Sequence, residues 1–272
     1  MDFYIEHHYA EQLYPFVKKY IIMKNPQRLQ LTSIDFKSTG SVYLLIVFQG
    51  MIKLQYMAKE QYIEPGCYIG GQVYREHIQL NLNNCKEFIL VELNPVTLYQ
   101  ALEVPLLNYT DKFTPVHLVG MKFFLEEVKE TSTGRLKIKL VVSFLRSFLP
   151  FQKIISDRVF LLCQWIDKQN EMIKVETIAD FLNCSERQVE RVFQQKIGLS
   201  PKYYLKCIQM RQVVNMVMEK GNKPFVDILY EKGHYDAPHF SKDFKRLMRM
   251  TPLEFFKQEA LFDSMIMKLR KF

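Results

Sequence analysis

The chain has 272 residues, 48% of them hydrophobic and 14% aromatic, enough for two domains with cores of their own and too apolar for a disordered chain. It contains no run of about 18 uncharged apolar residues, so no membrane span is expected. The five cysteines (Cys67, Cys85, Cys163, Cys184, Cys207) are scattered and include no CxxC pair, which argues against a zinc site or a disulfide framework.

Met1 to Glu6 lacks the basic start and apolar core of a signal peptide, and a cytoplasmic, reducing location is expected. The formal net charge is +8. Residues 171–272 hold 18 Lys+Arg against 13 Asp+Glu, so the excess is densest in the C-terminal third. Such a surface suits a phosphate-bearing partner.

Taken in order, residues 28–94 read as strands. Leu29 to Phe36 partly alternates, and Val42 to Phe48 is a continuous apolar run, as expected of a strand buried on both faces. Met51 to Tyr56 is expected to hairpin back from it, and Pro65-Gly66 and Gly70-Gly71 punctuate turns. Ile78 to Leu82 alternates, and Phe88 to Leu93 is a second buried run. Short strands with Gly/Pro turns predict a small barrel or sandwich. From Pro95 the period becomes helical, with helices predicted over 95–102, 119–130, 135–149 and 155–169. Glu171 to Lys174 marks the expected boundary. The predicted fold class is α+β: a β-barrel-like domain with following helices over 1–170, and an all-α domain over 171–272.

The all-α region contains one pattern twice, 51 positions apart. Ser185, Val189, Arg191, Phe193, Ser200, Pro201 and Tyr204 align with Asp236, Phe240, Lys242, Phe244, Thr251, Pro252 and Phe255. In each copy a capping residue opens an amphipathic helix, with Gln188 completing a capping box after Ser185 and Glu254 one after Thr251. Gly198 is expected as a left-handed helix end and Pro201 as the first residue of the next helix. A helix over 175–182 with a turn at Asn183-Cys184 precedes the first copy. A helix over 225–232, closed by Gly233, precedes the second.

A short helix, a tight turn and an amphipathic helix form a helix-turn-helix, in which the start of the second helix reaches base edges. Val189, Val192, Phe193 and Ile197 are the expected core positions of one unit, and Phe240, Phe244 and Leu247 those of the other. The opposite faces offer Arg187, Gln188, Glu190, Arg191 and Gln194, and Pro238, His239, Ser241, Lys242 and Lys245. Arg pairs well with guanine, Gln with adenine, and Lys or His with guanine acceptors. Lys196, Lys202, Lys245 and Arg246 are the expected phosphate contacts. The connecting helix over 202–219 would span about 27 Å, comparable to the ~34 Å between successive major grooves on one face of DNA.

Residues 171–258 resemble the DNA-binding domain of the AraC family of bacterial transcription regulators. The matching residues are Ile178, Ala179, Ser185, Arg191 to Phe193, Gly198 to Pro201, Tyr204, Asp227, Ile228, Tyr230, Gly233, His239 to Ser241, Phe244 to Arg246 and Thr251 to Phe255. The resemblance implies two helix-turn-helix units joined by a long helix, with base readers at Arg187, Glu190, Arg191, Pro238, His239 and Lys242. Glu190 and Pro238 are less usual at reading positions. The stretch from Leu90 to Asp111 is similar to the cupin-like sensor domains of such regulators. That implies a regulatory and dimerisation module.

The function expected is therefore sequence-specific binding of double-stranded DNA, controlled by a small-molecule effector or by homodimerisation, with RNA polymerase as a possible partner. No catalytic residue, cofactor, metal or membrane partner is expected. His7-His8 point apart on a strand or helix, and Glu76, His77 and His117 do not form a metal set. Tyr43, Tyr56, Tyr68 and Tyr74 are the candidate lining of an apolar ligand pocket, with plain core packing as the alternative. The amphipathic tail from Leu261 to Leu269 is expected to pack on its own domain. Two other readings stay open: a cupin-type metal enzyme fused to a DNA-binding module, and an N-terminal domain that only dimerises.

Overall fold

The computed structural model describes residues 4–9, 13–24, 34–56, 59–117, 120–131, 133–169, 171–219, 227–229 and 237–256. The expected alternation over 29–33, the helix end at Gly233, the cap at Asp236 and the tail after Phe256 lie outside these residues.

Among the described residues, ten strands form two antiparallel sheets. The larger joins Tyr4–Tyr9 (β1), Val17–Lys24 (β2), Cys85–Leu93 (β9), Val42–Gly50 (β4), Gly66–Gly70 (β7) and Phe113–Pro115 (β10), in that spatial order. The smaller joins Ile34–Phe36 (β3), Ile78–Asn81 (β8), Ile52–Tyr56 (β5) and Lys59–Ile63 (β6).

β4 explains the layering. Its side chains alternate: Tyr43, Leu45 and Val47 pack with Leu54, Ile63 and Ile78 of the smaller sheet, while Val42, Leu44, Ile46 and Phe48 pack toward the helices. The continuous apolar run is thus a strand buried on both faces, as expected. β5 does not hairpin back onto β4. Both edges of β4 are taken, by β9 and β7, so the chain turns at Met51, whose N–H bonds the Asn84 carbonyl. β5 then enters the other sheet, pairing with β6 and β8.

Pro95–Leu102 (α1) matches its expected bounds, capped by the Asn94 side chain. Met121–Glu130 (α2) and Gly134–Phe148 (α3) follow. The helix expected over 155–169 is Arg158–Lys168 (α5), and a short helix the sequence did not suggest, Phe151–Ile155 (α4), precedes it. Asp157 interrupts them with extended backbone, accepting the Val159 N–H as a helix cap.

The C-terminal region comprises Val175–Leu182 (α6), Glu186–Lys196 (α7), Pro201–Glu219 (α8) and Ala237–Met248 (α9), with helical residues also at 227–229 and 252–256. One apolar cluster runs from the outer face of the larger sheet through α1–α5 to Ile178, Phe193, Tyr204 and Val213. α8 is about 28 Å long. It buries residues on several faces (Tyr204, Leu205, Cys207, Ile208, Met210) rather than one stripe, as a central helix must.

Candidate nucleic-acid interface

The expected local chemistry of the first unit is present. Asn183 adopts a left-handed backbone (φ 54°) between α6 and α7. Ser185 caps α7 in a complete capping box with Gln188. Gly198 lies at φ +86°, and its N–H bonds the Phe193 carbonyl. A Cβ at Gly198 would also sit 3.0 Å from the carbonyl oxygen of Leu106, so this helix end is pressed against the N-terminal half. Val189, Phe193 and Ile197 are fully buried.

The second unit repeats this geometry. Phe193 meets Tyr204 edge-on at 5.8 Å and 74°, and Phe244 meets Phe255 edge-on at 5.3 Å and 76°. Thr251 and Glu254 form the second box: the Thr251 N–H donates to Glu254 Oε2 at 2.7 Å and the Glu254 N–H to Thr251 Oγ1 at 3.2 Å. Those bonds from Thr251 hold the Glu254 carboxyl below the usual carboxylate range. Position 249 is the repeat equivalent of Gly198 and is also left-handed, although it is Arg249 (φ 61°). Aligning the copies would have exposed this cap; searching for glycine could not.

With the apolar side of each helix buried, Arg187, Gln188, Arg191 and Gln194 of α7 and Pro238, His239, Lys242, Lys245 and Arg246 of α9 are exposed. Glu190 is half-buried and accepts from Gln194 Nε2 at 2.9 Å. Gln188 Oε1 accepts from the Ser185 N–H at 2.9 Å and hydroxyl at 3.0 Å. With its carbonyl engaged, Gln188 offers outward only its NH2 donors, whereas pairing with adenine uses donor and acceptor together. His239 Nδ1 lies 3.7 Å from Asp243, which itself receives Lys206 Nζ of α8 at 2.7 Å. Lys202 is exposed. Lys196 is turned inward: its Nζ lies 2.5 Å from Asp157 Oδ2 and over the Tyr99 ring.

A partly buried charge network unread in the sequence joins α8 to the N-terminal half. Arg211 donates to Asp167 Oδ1 of α5 at 2.6 Å, to the Thr39 carbonyl at 3.1 Å and to Ser41 Oγ at 3.3 Å. The Ser41 hydroxyl donates to Glu92 at 2.7 Å. Lys19 pairs with Glu92 and Lys18 with Asp167, each at 3.2 Å. Burial alone would raise the Glu92 carboxyl, but the charges of Lys19, Lys18 and Arg211 with the Ser41 bond outweigh it and bring it to about 2. Asp167, against the same penalty, is lowered by Lys18 and Arg211. Burial pushes the Cys163 and Cys207 thiols up to about 12, which leaves them unreactive.

Three of the four candidate pocket tyrosines share one core, and the fourth lies elsewhere. Tyr43, Tyr56 and Tyr68 pack on the inter-sheet core, and Tyr43 bonds Thr39 Oγ1 at 2.8 Å. Tyr74 instead meets Tyr203 of α8 edge-on at 4.6 Å. A surface cavity of about 170 Å³ is lined by Met51, Lys53, Tyr62, Asn81, Asn83 and Asn84, none of them among the four. Among the described residues no helix is long and apolar enough to cross a membrane.

A family model described as a helix-turn-helix domain matches residues 178–258. That segment is an AraC-type helix-turn-helix domain. The AraC-type segment is similar to the HTH-type transcriptional activator RhaS of Enterobacter sp. (strain 638), 31% identical over 98 residues, 36% of this chain and 35% of the relative. An uncharacterised HTH-type transcriptional regulator of Haemophilus influenzae is 24% identical over 167 residues, 54% of each chain. The chain therefore spans about half or less of the length of these curated relatives. Among solved structures, ToxT of Vibrio cholerae O395 aligns over 93% of this chain and 97% of its own, at 12% identity and a TM-score of 0.49.

Proposed function

We propose that the chain is a sequence-specific transcription regulator that grips double-stranded DNA with α7 and α9 in successive major grooves. The observation that carries this reading is the repeated unit. Two helices with equivalent aromatic cores (Phe193 with Tyr204, Phe244 with Phe255) pack on one connecting helix, each with an exposed basic face. Arg187, Arg191, His239 and Lys242 supply the donors for base edges, with Glu190 and Pro238 beside them. Gln188 contributes through its NH2 group alone. Lys202, Lys245 and Arg246 contact phosphates, and Lys196 serves the ion pair with Asp157.

In this reading residues 171–272 are the DNA-binding domain and residues 1–170 the sensor and dimerisation domain. A small-molecule effector or self-association controls the cytoplasmic protein, and contact with RNA polymerase follows binding. Because the two reading faces differ (Arg187 against Pro238, Gln188 against His239), each monomer reads a non-palindromic site. Selection of bound duplexes from random DNA tests this. It should return two unlike half-sites about one helical turn apart. Arg191→Ala should then weaken binding by about 1–3 kcal/mol and relax preference at one base pair; an unchanged footprint would remove α7 from the readers.

A further inference from the structure

The five residues between β3 and β4, Lys37 to Ser41, touch both the connecting helix and the second reading helix. Lys37 Nζ donates to the carbonyl of Met248, the last residue of α9, at 2.9 Å. Ser38 Oγ lies 3.0 Å from Cys207 Sγ. The Thr39 carbonyl and the Ser41 hydroxyl receive Arg211. Between them Gly40 lies at φ +73°, and a Cβ there would come within 2.8 Å of Ile208 Cδ1 and 3.3 Å of the Tyr204 ring. Their partners on α8 belong to a face that the N-terminal half covers. Tyr203, Cys207 and Arg211 repeat every fourth residue, and the Tyr203 hydroxyl donates to the Tyr74 carbonyl at 3.2 Å. Lys206, pointing elsewhere, holds Asp243 of α9. The left-handed end of α9 is fastened too, by Arg249 Nη2 to the Arg75 carbonyl at 2.9 Å.

We propose that Lys37 to Ser41, anchored by Arg211, position α9 relative to α7 and thereby set which spacing of two half-sites the chain accepts. These are positioning residues: they face α8 and the C-terminal end of α9, whereas base edges are met by its N-terminal end. The physical reason is rigidity. A helix that is buried, hydrogen-bonded at its side and fixed at its partner's end has one arrangement, and a second groove is met only if that arrangement matches the DNA repeat. The segment also continues into the sandwich, since Thr39 Oγ1 bonds the hydroxyl of Tyr43 in the inter-sheet core. A change in that core therefore has a short covalent and hydrogen-bonded path to the reading heads.

The inference rests on the DNA-reading function proposed above, and the test separates the two. Full-length protein is titrated with the selected duplex, with duplexes carrying one base pair more or fewer between the half-sites, and with a duplex bearing the α7 half-site alone. The parent should prefer the selected spacing. Gly40→Ala, which forces a methyl group against α8, should reduce that preference by about tenfold while binding to the α7 half-site changes less than about twofold. Lys37→Ala, a milder change at the surface, should reduce it by about threefold; should Gly40→Ala not fold, Lys37→Ala alone decides. An unchanged spacing preference in the folded variants overturns the proposal. So does an equal loss on every duplex, because that is the mark of a general structural role. A parent that selects no sequence at all removes the DNA-reading function itself, and this proposal with it.

Discussion

Replacing Arg211 by methionine keeps an unbranched apolar stem and removes the guanidinium and its charge. The Arg211 side chain is only 17% exposed and pairs with Asp167, itself beside Lys18. Breaking a buried ion pair by deleting one partner costs about 3–5 kcal/mol. Lys18 and Lys19 remain to face Asp167 and Glu92, so the expected loss lies at the lower end, about 3 kcal/mol. Linkage sets a check on scale. A Glu92 carboxyl at about 2 in the folded chain, against its ordinary 4.5, is stabilised by about 3 kcal/mol by all its partners together. Because that value is lowered on folding, its contribution is complete above 4.5 and is lost as pH falls toward 2. Without Arg211 the carboxyl rises, and the contribution shrinks and disappears sooner. Urea unfolding followed by far-ultraviolet circular dichroism should therefore show the widest gap between parent and variant at neutral pH, narrowing by about pH 3. A gap under about 1 kcal/mol at neutral pH, or one that does not narrow in acid, would refute the network as a source of stability.

Three further outcomes follow from where single side chains lie. Lys202→Met should lower the slope of DNA affinity against salt by about one phosphate contact. Lys196→Met should leave that slope unchanged, because its amine is engaged by Asp157; a reduced slope would return Lys196 to the phosphate set. At Arg249, glycine should give a more stable protein than alanine, by about 1 kcal/mol, because the backbone there is left-handed. Helix propensity alone ranks the two residues oppositely, so thermal unfolding of both variants decides between the explanations.

Much of the repeated unit was legible in the chain itself, because it depends on local chemistry. Ser185 and Gln188 close a box three residues apart, Gly198 ends a helix, and Phe193 and Tyr204 recur as Phe244 and Phe255. Each rests on interactions within about three turns of helix, and such interactions leave a periodic trace in the chain. The same holds for β4, whose apolar run records burial on both faces.

Tertiary packing decided the rest. No local pattern says that β4 has both edges filled, and so Met51 to Tyr56 went to a different sheet from the one its hairpin-like position suggested. Composition cannot distinguish an outward lysine from Lys196, whose amine meets Asp157, 39 residues away. Arg211 reads as one more helix charge until Thr39, Ser41 and Asp167 converge on it across 172, 170 and 44 positions. The sequence determined that there are two heads and which faces they present, since periodicity within a helix settles which side is apolar. How those heads are held against the N-terminal half was decided by the tertiary structure alone, because charge pairing and sheet edges are satisfied by whichever groups the fold brings within reach.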